Sequence, residues 1–271
     1  MENLEKPLAT GRTAEIYSYG ENKVLKLYYP TIPQSWIDCE ADISRYIQEA
    51  QLPVPKVYER VKVKGREGLI YERVNGVSLL NRLGRTPWKA AQYARTLASL
   101  HAKVHKIRAP ASLETQKEWA KGEILDTDKL PSEVKHKVLH LIERMPDGSQ
   151  LCHGDFHPGN IILTHHGPVI IDWMTATRGT ACGDVARTAI ILEAAQVPEG
   201  TPMRWLVDWV RKSILATYLK TYSQLQPLEE SSLIAWRTIM AANFYVDVSL
   251  PGEGASLLAI VYNGVKSIMS G

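Results

Sequence analysis

The sequence predicts a two-lobed α+β protein: a small N-terminal antiparallel β-sheet lobe with one helix, followed by a larger, mainly helical C-terminal lobe. Three observations predict it. Strand-forming residues punctuated by turn residues fill the first seventy positions, and helical apolar stripes dominate from about residue 87. A single strand–turn–strand insert interrupts the helices at 161–171. The lobes are drawn at 1–72 and 78–271, with a hinge at 73–77. In such an outline the cleft between lobes is the default ligand site.

Taken in order, Pro7 to Thr10 leads through Gly11 into Glu15–Tyr19, which alternates polar and apolar residues. Gly20, Glu21 and Asn22 turn the chain, and Lys23 to Tyr29 resumes a strand, completing a three-strand meander. A helix from about Pro33 to Ala50 carries Trp36, Ile43, Tyr46 and Ile47 as its apolar stripe, and Pro53 and Pro55 end it. Val57–Val63 and Gly68–Tyr71 form a hairpin through Lys64-Gly65. A long helix over about Pro87 to Ile107 follows, with Trp88, Ala91, Leu97, Leu100, Val104 and Ile107 as its stripe. Further helices are predicted at 131–145, 184–195, 203–222, 229–248 and 255–269. The insert is Ile161–Thr164, a His165-His166-Gly167 turn, and Val169–Ile171. Internal repeats and low-complexity stretches are absent from the sequence.

Composition narrows the class. With 45% hydrophobic and 23% charged residues the chain reads as an ordinary soluble globular protein. Its 32 basic and 29 acidic residues are dispersed, which argues against a nucleic-acid surface. Cys39, Cys152 and Cys182 are odd in number and lack C-x-x-C spacing, so a reducing compartment fits better than a disulfide framework. The charged start of the chain and the lack of a long apolar run exclude a signal peptide and a membrane helix, and the expected location is the cytoplasm.

The residues with chemistry cluster in Leu151-Cys152-His153-Gly154-Asp155-Phe156-His157-Pro158-Gly159-Asn160. Asp155 and Asn160 have the D-x-x-x-x-N spacing of a kinase catalytic loop. Phosphoryl transfer needs an aligned hydroxyl and a divalent cation to absorb phosphate charge. Asp155 can accept or orient the hydroxyl proton, and the Asn160 amide oxygen suits Mg²⁺, a hard cation. Ile170-Ile171-Asp172 reads as a buried strand ending on a carboxylate, and the short hairpin returns Asp172 beside Asn160.

His153-Gly154-Asp155-Phe156-His157-Pro158-Gly159-Asn160 followed by Ile171-Asp172-Trp173 resembles the aminoglycoside-phosphotransferase and choline-kinase-like family. The resemblance implies a bilobal protein-kinase-like fold and an ATP- or GTP-dependent small-molecule kinase, with Asp155 as base and Asn160 and Asp172 as Mg²⁺ ligands. It also implies a structural role for Asp184. Met174 departs from the glutamate that the family often places after Asp-Trp, and Arg178–Gly183 is unusual; both bear on the pockets rather than the chemistry. Upstream, Lys26 lies inside an apolar strand like the phosphate-binding lysine of kinases, with Glu40 as its natural partner. Gly11, Arg12 and Thr13 could aim backbone N–H groups at phosphate, although a plain hairpin turn accounts for them nearly as well. Glu72 and Val74 sit where backbone groups of such folds meet the nucleotide base.

Other residues have plainer readings. His101 and His105, like His136 and His140, have i,i+4 spacing that could bind zinc, but hydrogen-bonded core histidines are commoner. His153 and His157 read as braces of the loop, Cys152 as buried and inert, and Arg187 as a structural partner of a loop group. Trp205, Trp209, Tyr218 and Tyr222 read as core. From Val185 onward seven acidic residues balance seven basic ones, so a polycationic acceptor is not favoured over a sugar or amino alcohol. Two competitors stand beside the kinase: a nucleotide-binding regulator without turnover, and a zinc hydrolase built on His101, His105, His153 and His157.

Overall fold

The strands run β1 (Ala9–Thr10), β2 (Ala14–Ser18), β3 (Lys23–Tyr28), β4 (Val57–Val63), β5 (Arg66–Glu72) and β6 (Val77–Ser78). Later come β7 (Gln150–Cys152), β8 (Ile161–Thr164), β9 (Gly167–Ile170) and β10 (Thr177–Gly179). The helices are α1 (Gln34–Glu49), α2 (Leu79–Arg85), α3 (Ala90–Val104), α4 (Gln116–Leu125), α5 (Ser132–Arg144), α6 (Ala181–Ala194), α7 (Arg204–Leu225), α8 (Glu230–Asp247) and α9 (Glu253–Met269). The computed structural model describes residues 6–194, 203–247 and 253–269; the predicted helix ends at Ala195 and Val248 lie outside them. Two compact units result, one from the chain up to Asn81 with Gly159–Ala176, the other from Arg82–Pro158 with the chain from Thr177.

In the first unit, an antiparallel sheet has the order β1-β2-β3-β5-β4. The β4–β5 turn is tight because Lys64 and Gly65 both take positive φ, at 49° and 81°, which matches the twist of a two-residue hairpin. Alternation along β3 decides what each face does. Leu25 and Leu27 pack with Tyr17 and Ile70 on one side. On the other, Tyr28 joins Leu69, Tyr71 and the α1 residues Ile37 and Ala41. The buried face of α1 runs Ile37, Glu40, Ala41, Ser44, with helical spacing of three and four. Trp36, expected on that stripe, is instead half exposed, one residue off the face. The hairpin β8–β9 belongs to this unit: β6 pairs with β8, and the Ile170 N–H reaches the Pro53 carbonyl at 2.7 Å.

The second unit is helical apart from the pair β7–β10. One core cluster joins residues of α4, α5, α6, α8 and α9 around Trp236, Ile239, Ala186 and Ile190. Helix α3 packs along α7, and each contributes an i,i+4 pair at the contact, His101 and His105 against Tyr218 and Tyr222. The predicted 87–107 helix is a 3₁₀ turn at Pro87–Lys89 followed by α3, and Trp88 in that turn is 74% exposed rather than part of the stripe. Trp205 and Trp209, read as core, are 69% and 56% exposed, because α7 turns a different face inward at its start. His136 and His140 are exposed on α5. Short α2 and α4 escaped the sequence reading, as did the three-residue strands β7 and β10, whose pairing is set by distant residues.

Candidate active site

In the first unit the site is built on strand β3. The period-two pleat puts Lys26 on the same face as Tyr28, under α1, where Glu40 projects inward. Lys26 Nζ donates to Glu40 Oε1 at 2.6 Å and to Asp172 Oδ1 at 2.8 Å. Glu40 also accepts from the Tyr28 hydroxyl at 2.8 Å and the Tyr71 hydroxyl at 3.3 Å, and Ser44 bonds Tyr71 at 3.0 Å. Both oxygens of this buried carboxylate are therefore occupied, which is what makes burying it tolerable. Burial alone would drive Lys26 towards its neutral form, but Glu40 and Asp172 outweigh it and raise the ammonium's pKa above the ordinary value. Burial, then Glu40, also pushes the Tyr28 and Tyr71 phenols well up, so both stay protonated as donors.

Asp172 follows β9 with φ at +65°, a left-handed conformation that Asp adopts more readily than most residues. Its side chain is 43% exposed. The N–H of Ile171 donates to the Asn160 carbonyl at 3.0 Å, so the β8–β9 register holds the backbones of Asn160 and Asp172 together. Gly11, Arg12 and Thr13 form the β1–β2 turn, closed by Gly11 N–H to the Ala14 carbonyl at 2.9 Å. Glu72 ends β5, where its N–H meets the Lys56 carbonyl at 2.8 Å, and Val74 lies two residues beyond.

In the second unit, β7 runs straight into the loop that carries Asp155. Its pairing with β10, Cys152 opposite Thr177 and Gln150 opposite Gly179, brings the start of α6 under the loop. The approach is close: a Cβ on Gly148 would lie 2.0 Å from the Gly179 carbonyl oxygen. Asp184, fully buried in the first turn of α6, then accepts the N–H of His153 at 2.6 Å and of Gly154 at 2.9 Å. Gly154 takes φ +78°, which lets successive N–H groups converge on one carboxylate. On the other side Asp184 Oδ2 meets Nε2 of His101 at 2.9 Å and of His105 at 3.1 Å. Arg187 donates to the Gly154 carbonyl and stacks over Trp119, 4.5 Å from the ring centroid. His153 Nδ1 accepts the Asp155 N–H at 3.2 Å, and His157 Nε2 stands 3.5 Å from the Asp155 carboxylate.

Burial works to raise the Asp155 pKa, but the hydrogen bond and charge of His157, with His153 and Arg187, bring it down to about 2. Burial pushes the Cys152 thiol well up, which keeps it inert. Among the described residues, the ligand atoms that approach within 4.8 Å as a group are those of His101, His105 and Asp184, and His153 and His157 are not among them. Sequence reasoning missed Tyr28 and Tyr71 as partners of Glu40. The signal was present: residue 28 is two along the strand from Lys26 and so shares its face.

The structure superposes on solved phosphotransferases. A thermostable mutant of aminoglycoside phosphotransferase APH(4)-Ia, in complex with AMP-PNP and hygromycin B, matches with a TM-score of 0.66 at 16% identity, over 99% of this chain and 95% of that one. An aminoglycoside-3'-phosphotransferase of type VIII matches at 0.62 and 21% identity, over 88% and 92%. A choline/ethanolamine kinase family protein from Mesorhizobium loti matches at 0.60 and 12% identity, over 100% and 93%. No curated protein matches in sequence. The fold of this chain is the one these phosphotransferases and kinases share. The chain belongs to the phosphotransferase enzyme family, whose model, APH, matches residues 6–228.

Proposed function

We propose that the chain moves the γ-phosphoryl group of ATP or GTP onto a hydroxyl of a small metabolite or aminoglycoside, with Asp155 facing that hydroxyl. The observation that carries the reading is the chain Glu40–Lys26–Asp172, at 2.6 and 2.8 Å. It fixes a buried ammonium where phosphate oxygens can be met, and ties it to the carboxylate that follows β9. Lys26 takes one oxygen of Asp172, and the exposed carboxylate keeps the other for a cation. Asp172 and the Asn160 amide form an all-oxygen donor set, which fits a hard ion such as Mg²⁺. When bound, that ion neutralises charge on the triphosphate. Gly11, Arg12 and Thr13 cover the phosphates, and the backbone at Glu72 and Val74 meets the base.

Asp155, held at about 2, is ionised at working pH and is a weak proton acceptor. It first orients the hydroxyl and takes its proton late, as the bond from the acceptor oxygen to phosphorus forms. The bond from the γ-phosphorus to its bridging oxygen breaks, and the nucleoside diphosphate leaves with that electron pair. The APH(4)-Ia complex, with a nucleotide analogue and hygromycin B on the same fold, supports the pairing of a nucleotide with a small acceptor. The seven-to-seven charge balance from residue 185 onward does not favour a polycation over a sugar or amino alcohol. Cytoplasm, where nucleoside triphosphate is plentiful, is the expected setting, and three free cysteines agree with it.

The test is release of ADP or GDP with Mg²⁺ across a panel of aminoglycosides, choline-like amines, sugars and amino acids. One acceptor is expected to raise turnover, and Asp155→Ala and Asp172→Ala are each expected to lower it about 10²–10⁴-fold. Full activity in both variants would overturn the assignment.

A further inference from the structure

Beneath the Asp155 loop lies a buried cluster whose hydrogen bonds can be counted proton by proton. Asp184 Oδ2 receives the His153 N–H and faces Nε2 of both His101 and His105, while Oδ1 receives the Gly154 N–H. The carboxylate takes one backbone N–H on each oxygen, and against burial the histidines facing it hold its pKa well below the usual carboxylate range, so it carries no proton and each imidazole must present Nε2–H to it. For His101 this is simple. Its Nδ1 accepts from the Tyr218 hydroxyl at 2.7 Å, and the ring is neutral.

His105 differs because of what lies behind its tyrosine. The Tyr222 oxygen is 2.6 Å from His105 Nδ1 and 2.7 Å from Gln226 Oε1. The Gln226 amide is oriented by its other end, where Nε2 donates to the Ala102 carbonyl at 3.2 Å. Ala102 lies in the last turn of α3, and the following N–H that might have taken its carbonyl, that of Lys106, goes to Lys103 instead. Gln226 therefore presents its oxygen to Tyr222, and the single phenolic proton is spent on that bond. What remains between Tyr222 and His105 Nδ1 must be filled by a proton on the histidine.

We propose that His105 is a buried imidazolium, protonated on both nitrogens, and that its ion pair with Asp184 is a positioning element for the catalytic loop. The pair acts through Asp184, whose oxygens fix the N–H groups of His153 and Gly154 immediately before Asp155. Its charge also accounts for the burial of a lone carboxylate, since Asp184 and His105 neutralise each other. The groups around the pair are His101 on α3, Tyr218 and Tyr222 on α7, and Cys152 and His153 at the loop. Burial foremost, with the charge of His105 next, pushes His101 down to about 3, in keeping with one proton-bearing ring and one neutral one. Each of the facing nitrogen and oxygen atoms has a hydrogen-bond partner within the cluster.

The loop-positioning role rests on the assignment of Asp155 under Proposed function; the ionisation state does not, and is read first. In ¹⁵N-histidine-labelled full-length protein without substrate at pH 7.5, one ring, assigned by its loss in His105→Gln, is expected to show two protonated nitrogens. A second, that of His101, is expected to show one. A single protonated nitrogen on His105 overturns the proposal, whatever the enzyme does. The second measurement is Tyr222→Phe, which removes the acceptor of the Nδ1 proton while keeping the ring. With the acceptor found in the panel above, its kcat is expected to fall on the order of 10²-fold as pH rises from 6 to 8, with KM for nucleotide unchanged. A profile parallel to that of the unaltered enzyme would show that Tyr222 serves packing alone and would remove the positioning role.

Discussion

Glu40 illustrates how one residue can serve the fold and the site at once. It is buried on α1, yet its two oxygens gather Lys26, Tyr28 and Tyr71, residues from two neighbouring strands. Glu40→Gln keeps the shape and removes the charge. Lys26 then leans on Asp172 alone, and two phenol donors face an amide that is partly a donor itself. We expect a loss of about 1–3 kcal/mol in stability by urea denaturation, together with a higher KM for nucleotide. An unchanged KM would separate Lys26 from phosphate binding. Asp155 is the opposite case: its side chain is 36% exposed, and it owes its low pKa to neighbours, His157 above all, that keep it charged against burial.

At the scale of elements, short segments bring the functional loop to its anchor. Helix α4 is only ten residues long and is held at its start by a capping box: the Thr115 hydroxyl accepts the Glu118 N–H at 3.1 Å, and the Glu118 carboxylate accepts the Thr115 N–H at 3.1 Å. Its first residue, Gln116, accepts from the Thr180 N–H at 3.3 Å, immediately before α6 and Asp184. Thr115→Ala is expected to cost about 1 kcal/mol, visible as a Tm lower by about 2 °C, with activity little altered. The pattern Thr-x-x-Glu stood in the sequence and could have revealed α4. No such local signal marks β7 and β10, because three residues carry no readable period and their pairing joins positions about 27 apart.

For the molecule as a whole, one source of acid sensitivity is the buried, neutral ring of His101. His101 has a folded-state pKa of about 3, below the roughly 6.5 of an unfolded histidine. As pH falls from 6.5, the unfolded chain takes up this proton and the folded protein does not, so stability drops throughout that window. At pH 5 the loss from His101 amounts to about 2 kcal/mol. Asp184 and Asp155 have lowered folded-state pKa values, so their contributions are kept above about pH 4 and lost below it. Urea midpoints for the unaltered chain are therefore expected to fall between pH 7 and 5, and those of His101→Gln to fall less; parallel declines would refute the assignment. No described helix is long and apolar enough to cross a membrane.

The sequence by itself determined the order of elements, the β-rich first part and helical second part, and the motif at 153–172. These are local properties: pleat and helix periods, proline stops and a motif of fixed spacing can all be read within a few turns of chain. Tertiary structure alone decided which faces those elements bury and which distant groups meet. Trp88, Trp205 and Trp209 are exposed although their residue type favours burial, since a helix's inward face depends on its neighbours. Lys26 gains a second carboxylate from 146 residues away. Asp184 became a hub only when α3, α6 and the loop after β7 were packed together, because a buried carboxylate must be satisfied by whatever donors the fold brings to it.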